Sequence, residues 1–396
     1  MPVIRWSLAS SAIALLLIVS CAPTDADPEG KSHSNTNDSL SAEEKLKLVQ
    51  PAKSGTGDEI EEGPVPSGLQ KRIQMAINNI RKRELTISNG FWTIFHGILG
   101  LGPGVELVDP KTRERVPALN YICDGGGLKG LVFKPSLLGV DVVSTMDGLG
   151  QGHQDQFIAE MAQWGMPANR RFVIQGKEFS FMDFVNFSQA RVRVTQNQEL
   201  SWSIIIIAQY KGLNSSWTNP FHEKLHFDDI VRYELKQNIE NAACGGTHRL
   251  FGLSWVYHMH LQQGGKAEGV WKGVPEITTR FTNLAKKFQN SDGSFSTSYF
   301  RERGNEPDLN KKISSTGHMV EWLSLALSDE ELREPWMQDA VNALCMQILE
   351  MRGAPIEGGS MYHAVHGLII YYARMFDRSF CPKELLVPLP PGWKKV

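Results

Sequence analysis

The sequence predicts an all-α fold, an α/α toroid of about six outer–inner helix pairs with a small irregular, β-containing insertion near residues 104–145. Three observations carry this expectation. One set of segments has apolar residues at helical spacing on a single face, a second set is apolar on nearly all sides, and the two sets alternate along the chain. A pair of that kind cannot bury its own faces and must stack on like neighbours; closing the stack into a ring gathers the uniformly apolar helices around a central funnel.

Ahead of the helical domain, residues 1–20 carry one charged side chain, Arg5, before an apolar run from Leu8 to Val19. That run is too short to span a bilayer and suits a signal peptide. Ile18-Val19-Ser20-Cys21 resembles the lipobox of bacterial lipoproteins, which implies lipidation of Cys21 and export with attachment to the membrane through lipid chains. Ala22 stands where an inner-membrane retention signal would place Asp, so the outer membrane is preferred. Residues 21–66 are rich in Ser, Thr, Asn, Asp, Glu, Gly and Pro with almost no aromatics, and are expected to form a disordered tether, because such a composition cannot offset its ordering entropy.

The toroid domain is expected over 67–380. LQKRIQMAINNIRKRE, from Leu69, is an amphipathic outer helix before the apolar NGFWTIFHGILGLG. The stretch 105–143 reads as turns and short strands (VELV, VPALNYI), which leaves the inner-type segment GHQDQFIAEMAQWG without an evident outer partner. Four further pairs follow: FMDFVNFSQARVRV with QELSWSIIIIAQY, FDDIVRYELKQNIENAACGG with THRLFGLSWVYHMH, TTRFTNLAKKFQNSDGSFS with STGHMVEWLSLAL, and EPWMQDAVNALCMQILEM with GGSMYHAVHGLIIYY. Pro335 suits the first turn of the last outer helix, and 381–396 reads as a C-terminal tail.

Net charge is −2 and the longest basic block is Arg81-Lys82-Arg83, so no nucleic-acid footprint exists. Export makes disulfides permissible among Cys123, Cys244, Cys345 and Cys381, either in one of three pairings or as free thiols.

The inner segments share a Ser, Thr or Gly start followed by histidine: Gly152-His153, Thr247-His248, Thr316-Gly317-His318 and Ser360 with His363. Read as N-caps, these starts place each imidazole in a first turn, and parallel inner helices bring the turns to one mouth of the funnel. Glu199 opens the remaining helix, and Trp92 or His96 belongs to the first. His153, His248, His318, His363 and Glu199 are therefore the candidate catalytic groups, and a divalent metal, on His248, His318 and His363, is the possible cofactor. Trp92, Asp155, Arg249 and His366 are candidate ligand-binding residues; Asp155 and Arg249 adjoin first-turn histidines and could orient them. His258 and His260, farther along their helix, read as structural.

LAKKFQNSDGSFS, a turn after an outer helix, and GGSMYHAVHGLIIYY, an inner helix after such a turn, resemble the repeats of the terpenoid cyclase and protein prenyltransferase superfamily. The resemblance implies the toroid architecture over roughly Leu69 to Phe376 and does not extend to the known chemistries. The cyclase carboxylate cluster D-x-D-D is matched only by His226-Phe227-Asp228-Asp229, without its first carboxylate. Tyr362-His363 is similar in position to the late zinc histidine of the prenyltransferases, whose D-x-C pair is absent, and Ala243-Cys244-Gly245-Gly246-Thr247 lacks the glutamine of the thioester toroids. The expected function is a membrane-anchored extracytoplasmic toroid binding a small-molecule, glycan or lipid ligand in its funnel. The alternatives are a lyase or metal-assisted hydrolase acting on such material through the funnel histidines, and a non-catalytic scaffold. If Cys21 carries the anchor, Cys21→Ser, whose hydroxyl cannot form the thioether, releases the protein from membranes; fractionation of cells expressing the variant checks this.

Overall fold

The computed structural model describes residues 40–52, 68–145, 147–386 and 388, all within one compact unit that begins at Leu40. The signal segment, Cys21 and most of the tether lie outside the described residues. Part of the expected tether is folded. Ser41 and Glu44 form a capping box at the start of α1 (Ala42–Lys47), and β1 (Leu48–Val49) pairs antiparallel with β10 (Ile356–Glu357). Val49 is buried and its carbonyl accepts from the Arg83 guanidinium, contacts that compensate the entropy which composition alone suggests would prevail.

The architecture is mostly helical, and six helices are buried on nearly every side: α3 (Phe91–Leu101), α5 (Gln156–Gln163), α7 (Ser203–Tyr210), α9 (Thr247–Gln262), α11 (Leu309–Ala326) and α14 (Gly358–Met375). Consecutive members pack on one another, and α14 packs on α3, so the series of contacts closes. Outside them lie the half-buried α2 (Leu69–Arg81), α4 (Ala118–Cys123), α6 (Phe181–Arg191), α8 (Phe227–Glu234), α10 (Gly273–Phe288) and α13 (Pro335–Glu350); α12 (Asp329–Leu332) is a single turn between α11 and α13. No helix among the described residues is long and apolar enough to cross a membrane.

Two departures from the sequence reading concern the first half of the chain. The segment VPALNYI is not a strand throughout: it contributes the end of β3 (Arg115–Pro117), paired with β2 (Glu106–Val108), and then α4, the outer helix that the reading had missed. The second departure is a repeated unit. Hairpins β2–β3, β6–β7 (Arg171–Ile174, Lys177–Ser180) and β8–β9 (Ser216–Thr218, Lys224–His226) each run directly into an outer helix, α4, α6 and α8. In each, the first helical amide donates back across the hairpin: Ala118 to the Val105 carbonyl, Phe181 to Arg170 and Phe227 to Ser215. Each turn also holds a non-glycine residue at positive φ, Arg113, Gln175 or His222. Strands of three or four residues are shorter than the run over which alternation becomes legible. A fourth hairpin, β4–β5 (Phe133–Ser136, Gly139–Val142), completes the 104–145 insertion.

The closest helix pairing, α11 on α14, depends on glycine. A Cβ on Gly317 would stand 2.7 Å from the Ala364 Cβ, and one on Gly367 would stand 2.7 Å from both Cα and N of Glu321. These are backbone approaches that no side-chain shift relieves, so Gly367→Val is expected to lower unfolding free energy by roughly 1–3 kcal/mol, the usual cost of overpacking. Urea unfolding followed by circular dichroism measures it.

Candidate metal centre

After α8 the chain makes a left-handed turn through Cys244, Gly245 and Gly246, with φ of 49°, 62° and 78°. The glycines are required twice over, since a Cβ on Gly245 would strike the Tyr299 ring at 2.2 Å and one on Gly246 the Ile239 carbonyl at 2.3 Å. Cys244 adopts the same conformation with a side chain, at a cost of about 1–2 kcal/mol. Strain of that kind persists where the surroundings over-determine it and concentrates at functional sites. The turn brings the Cys244 sulfur, a ring nitrogen of His153 and one of His248 within 4.8 Å of one another.

Each of the four histidines singled out from sequence reaches the cluster, His248 from the expected first turn and the other three from different positions. His153 precedes α5 in a turn, and His248 is the second residue of α9. His318 lies mid-helix, because Asp308 accepts from the Asn310 amide and starts α11 well before Thr316; the charged run Leu309–Ser315, read as loop, is helix anchored by the buried Ile313. His363 is the sixth residue of α14, whose cap is Glu357 and not Ser360. The imidazoles therefore meet in the buried interior between α9, α11, α14 and the turn before α5. Ring centroids are 4.7 Å apart for His153 and His248, 5.3 Å for His248 and His318, 5.3 Å for His248 and His363, and 4.3 Å for His318 and His363. His248, His318 and His363 each offer a nitrogen within 4.8 Å of the others'.

The hydrogen bonds around these rings set their tautomers. The Nδ1 of His153 lies 2.6 Å from Glu199 Oε2, that of His318 2.7 Å from the Ser314 carbonyl, and that of His363 2.8 Å from Glu321 Oε2. Each acceptor requires a proton on Nδ1, which leaves Nε2 as the atom able to bind an electrophile. His248 is buried with neither nitrogen hydrogen-bonded; Glu199 Oε1 stands 4.0 Å from its Nδ1, and the Trp202 ring packs against it at 4.9 Å. Imidazoles oriented by a carboxylate or carbonyl on one nitrogen, with the other facing a common point, are the arrangement by which proteins hold transition metals.

Burial raises the Cys244 thiol's pKa, but His248 and His318, with hydrogen bonding from His153, reverse that effect and hold it well below its ordinary value. Burial likewise lowers His153 and His318, yet Glu199 and Cys244 lift His153 to about 10, and Cys244 with Glu321 lifts His318 to about 9. His363 goes the other way, to about 4, because burial dominates over its Glu321 partner. Glu199 and Glu321 are held below the usual carboxylate range, His153 and His363 respectively outweighing the burial that would raise them.

The remaining candidates separate. Asp155 and Arg249 do not orient the histidines: Asp155 accepts from Arg191, Ser188 and Ser203, while Arg249 donates to Glu234 and to the Gln198 carbonyl. Both satisfy partners between helices, as buried charges must. Trp92 donates to Glu357 and packs its ring 4.1 Å from that of His96. His366 joins the cluster indirectly, through the second oxygen of Glu321 at 2.7 Å. His258, bonded to the Pro388 carbonyl, stands apart from the cluster, and the Tyr299 ring lies against the Cys244 turn. The sequence reading missed Cys244 as a member of the site, together with Glu321 and Glu160. The signals were a cysteine followed by two glycines immediately before Thr247-His248, and lone carboxylates in otherwise apolar helices.

Among the four described cysteines, Cys123, Cys345 and Cys381 are buried thiols whose pKa burial raises, to about 11 for Cys381. Iodoacetamide at neutral pH is therefore expected to alkylate Cys244 first in chelator-treated protein, read by peptide mass mapping. Compared with protein-family models, with curated proteins and with solved structures, the chain matches none, so its chemistry rests on this geometry.

Proposed function

We propose that the chain is an exported, lipid-anchored α/α toroid whose central funnel binds a borderline-soft divalent ion of the zinc class through Cys244, His153, His248 and His318, with His363 closing the inner side. The observation that carries this reading is the orientation of the imidazoles: His153, His318 and His363 each give Nδ1 to an acceptor and keep Nε2 free, beside a buried His248 with no hydrogen-bond partner and the Cys244 sulfur within 4.8 Å of ring nitrogens of His153 and His248. A thiolate-and-imidazole donor set selects zinc-class ions over magnesium or calcium, which take oxygen ligands. The toroid is supported by six buried helices in a closed series of contacts, and the anchor by the Cys21 segment. Bound there, such an ion supplies a Lewis acid. The residues orient it and exclude water, leaving His153 and Glu199, with side chains 11% and 23% exposed, as the approach from solvent.

A second reading is favoured by one contact sequence. His153 lies between the Cys244 sulfur and Glu199, the order of nucleophile, base and orienting carboxylate in cysteine-dependent acyl transfer. That reading makes the chain a hydrolase of esters or amides in lipid or glycan material: the Cys244 sulfur attacks the carbonyl carbon, the His153 proton passes to the leaving group as its bond to carbon breaks, and water, giving a proton back to His153, then releases the acyl group from sulfur.

Elemental analysis of the purified full chain separates the two. The metal reading expects tightly held zinc-class ion, lost in His248→Ala, and an affinity roughly 10–100-fold weaker in Glu199→Gln, the usual cost of removing a carboxylate behind a ligating histidine. Metal-free protein that traps an acyl group on Cys244 from an activated ester, seen by mass spectrometry, supports the second reading and overturns the first.

A further inference from the structure

We infer a second ion site beside the first, formed by His96, Glu160 and His363, which makes the centre dinuclear; this rests on the proposed metal reading. The three residues each offer a ligand atom within 4.8 Å of the others'. His96 and Glu160 are wholly buried, on α3 and α5, and His363 of α14 is 2% exposed. Glu160 is the independent observation. Both its oxygens are buried without a hydrogen-bond partner, and the nearest cationic candidate is His96 Nε2, 3.6 Å from Oε1. Two buried oxygens without a partner lack the compensation that buried polar groups require. Glu321, the other carboxylate of this core, is fully engaged by His363 and His366, so it repels Glu160 and offers it nothing.

His96 has the preparation seen at the first site. Its Nδ1 lies 2.6 Å from the Trp92 carbonyl, which leaves Nε2 facing Glu160. The Gln156 amide stands 3.0 Å from that Nε2 and must swing aside for an ion, exchanging one neutral hydrogen bond for ligation by an imidazole and a carboxylate. His363 belongs both to this group and to the one with His248 and His318, and its ring centroid is 5.1 Å from that of His96 and 5.3 Å from that of His248. Its Nδ1 is committed to Glu321, so its one free nitrogen serves a single ion: the first ion keeps Cys244, His153, His248 and His318, and His363 joins His96 and Glu160 at the second. The second set has only nitrogen and oxygen donors and suits zinc, ferrous or manganous ions.

The donor difference supplies the test. Full-length protein is stripped with chelator and titrated with cobalt(II), following thiolate-to-cobalt charge-transfer absorption and, by elemental analysis, total cobalt. The inference expects about two ions per chain for one thiolate-linked chromophore, and about one ion with the chromophore retained in Glu160→Gln. His96→Gln should behave alike, which guards against a folding defect peculiar to either variant. One ion per chain in the unaltered protein, with both variants unchanged, overturns the second site and leaves the first standing. Absence of both chromophore and bound cobalt overturns the first reading and this inference with it.

Discussion

The Glu321 carboxylate is the contact on which the interior depends. It sits on α11 one turn beyond His318 and takes the Nδ1 protons of two α14 histidines, one on each oxygen. Burial of an ionised carboxylate is costly unless it is both paired and hydrogen-bonded, and here one group is doubly satisfied in a water-poor core. The same pairing fixes the rotation of α14 about its axis, because His363 and His366 reach Glu321 together only when Gly367 lies against the α11 backbone. Side-chain chemistry and helix packing are therefore one constraint: the close helix approach is what lets the carboxylate orient both rings.

From there the site divides by polarity. Toward solvent lie Glu199, His153 and the strained Cys244 turn, where charge is balanced between thiolate, carboxylate and imidazolium. Inward lie His363, His96 and Glu160, where burial disfavours the charged forms of the histidines and the acid alike. A gradient of this kind separates groups able to exchange protons with water from groups that hold geometry, although all occupy a few ångströms of one interior.

Much of this was legible in the chain. The alternation of one-faced and all-round apolar segments anticipated the buried and half-buried helices, and the recurrence of histidine in the buried ones anticipated their meeting. What the sequence hid has physical causes. His318 was assigned to a helix start because Thr316-Gly317 reads as a cap, yet Asp308 caps the helix earlier and the buried Ile313 secures its first turns. Cys244 was considered only for disulfide or thioester chemistry, since nothing in a linear text announces that a left-handed turn will aim a thiol among imidazoles contributed by α9, α11 and the turn before α5. Arg249 points elsewhere because successive helical positions face different directions, and Asp155 does so from the left-handed cap ahead of α5.

The hairpin-and-helix unit repeated at α4, α6 and α8 has a consequence for how this molecule could diversify. In each copy the hydrogen bond from the first helical amide closes the unit on itself. Residues inserted at Arg113, Gln175 or His222 would lengthen a loop without shifting the helix behind it, since loop closure grows costly only slowly with length. The first half thus offers three separate points for insertion outside its packed interior. Related chains that keep the histidine ring would be free to change what they recognise by altering these turns, one at a time, with the chemistry held constant.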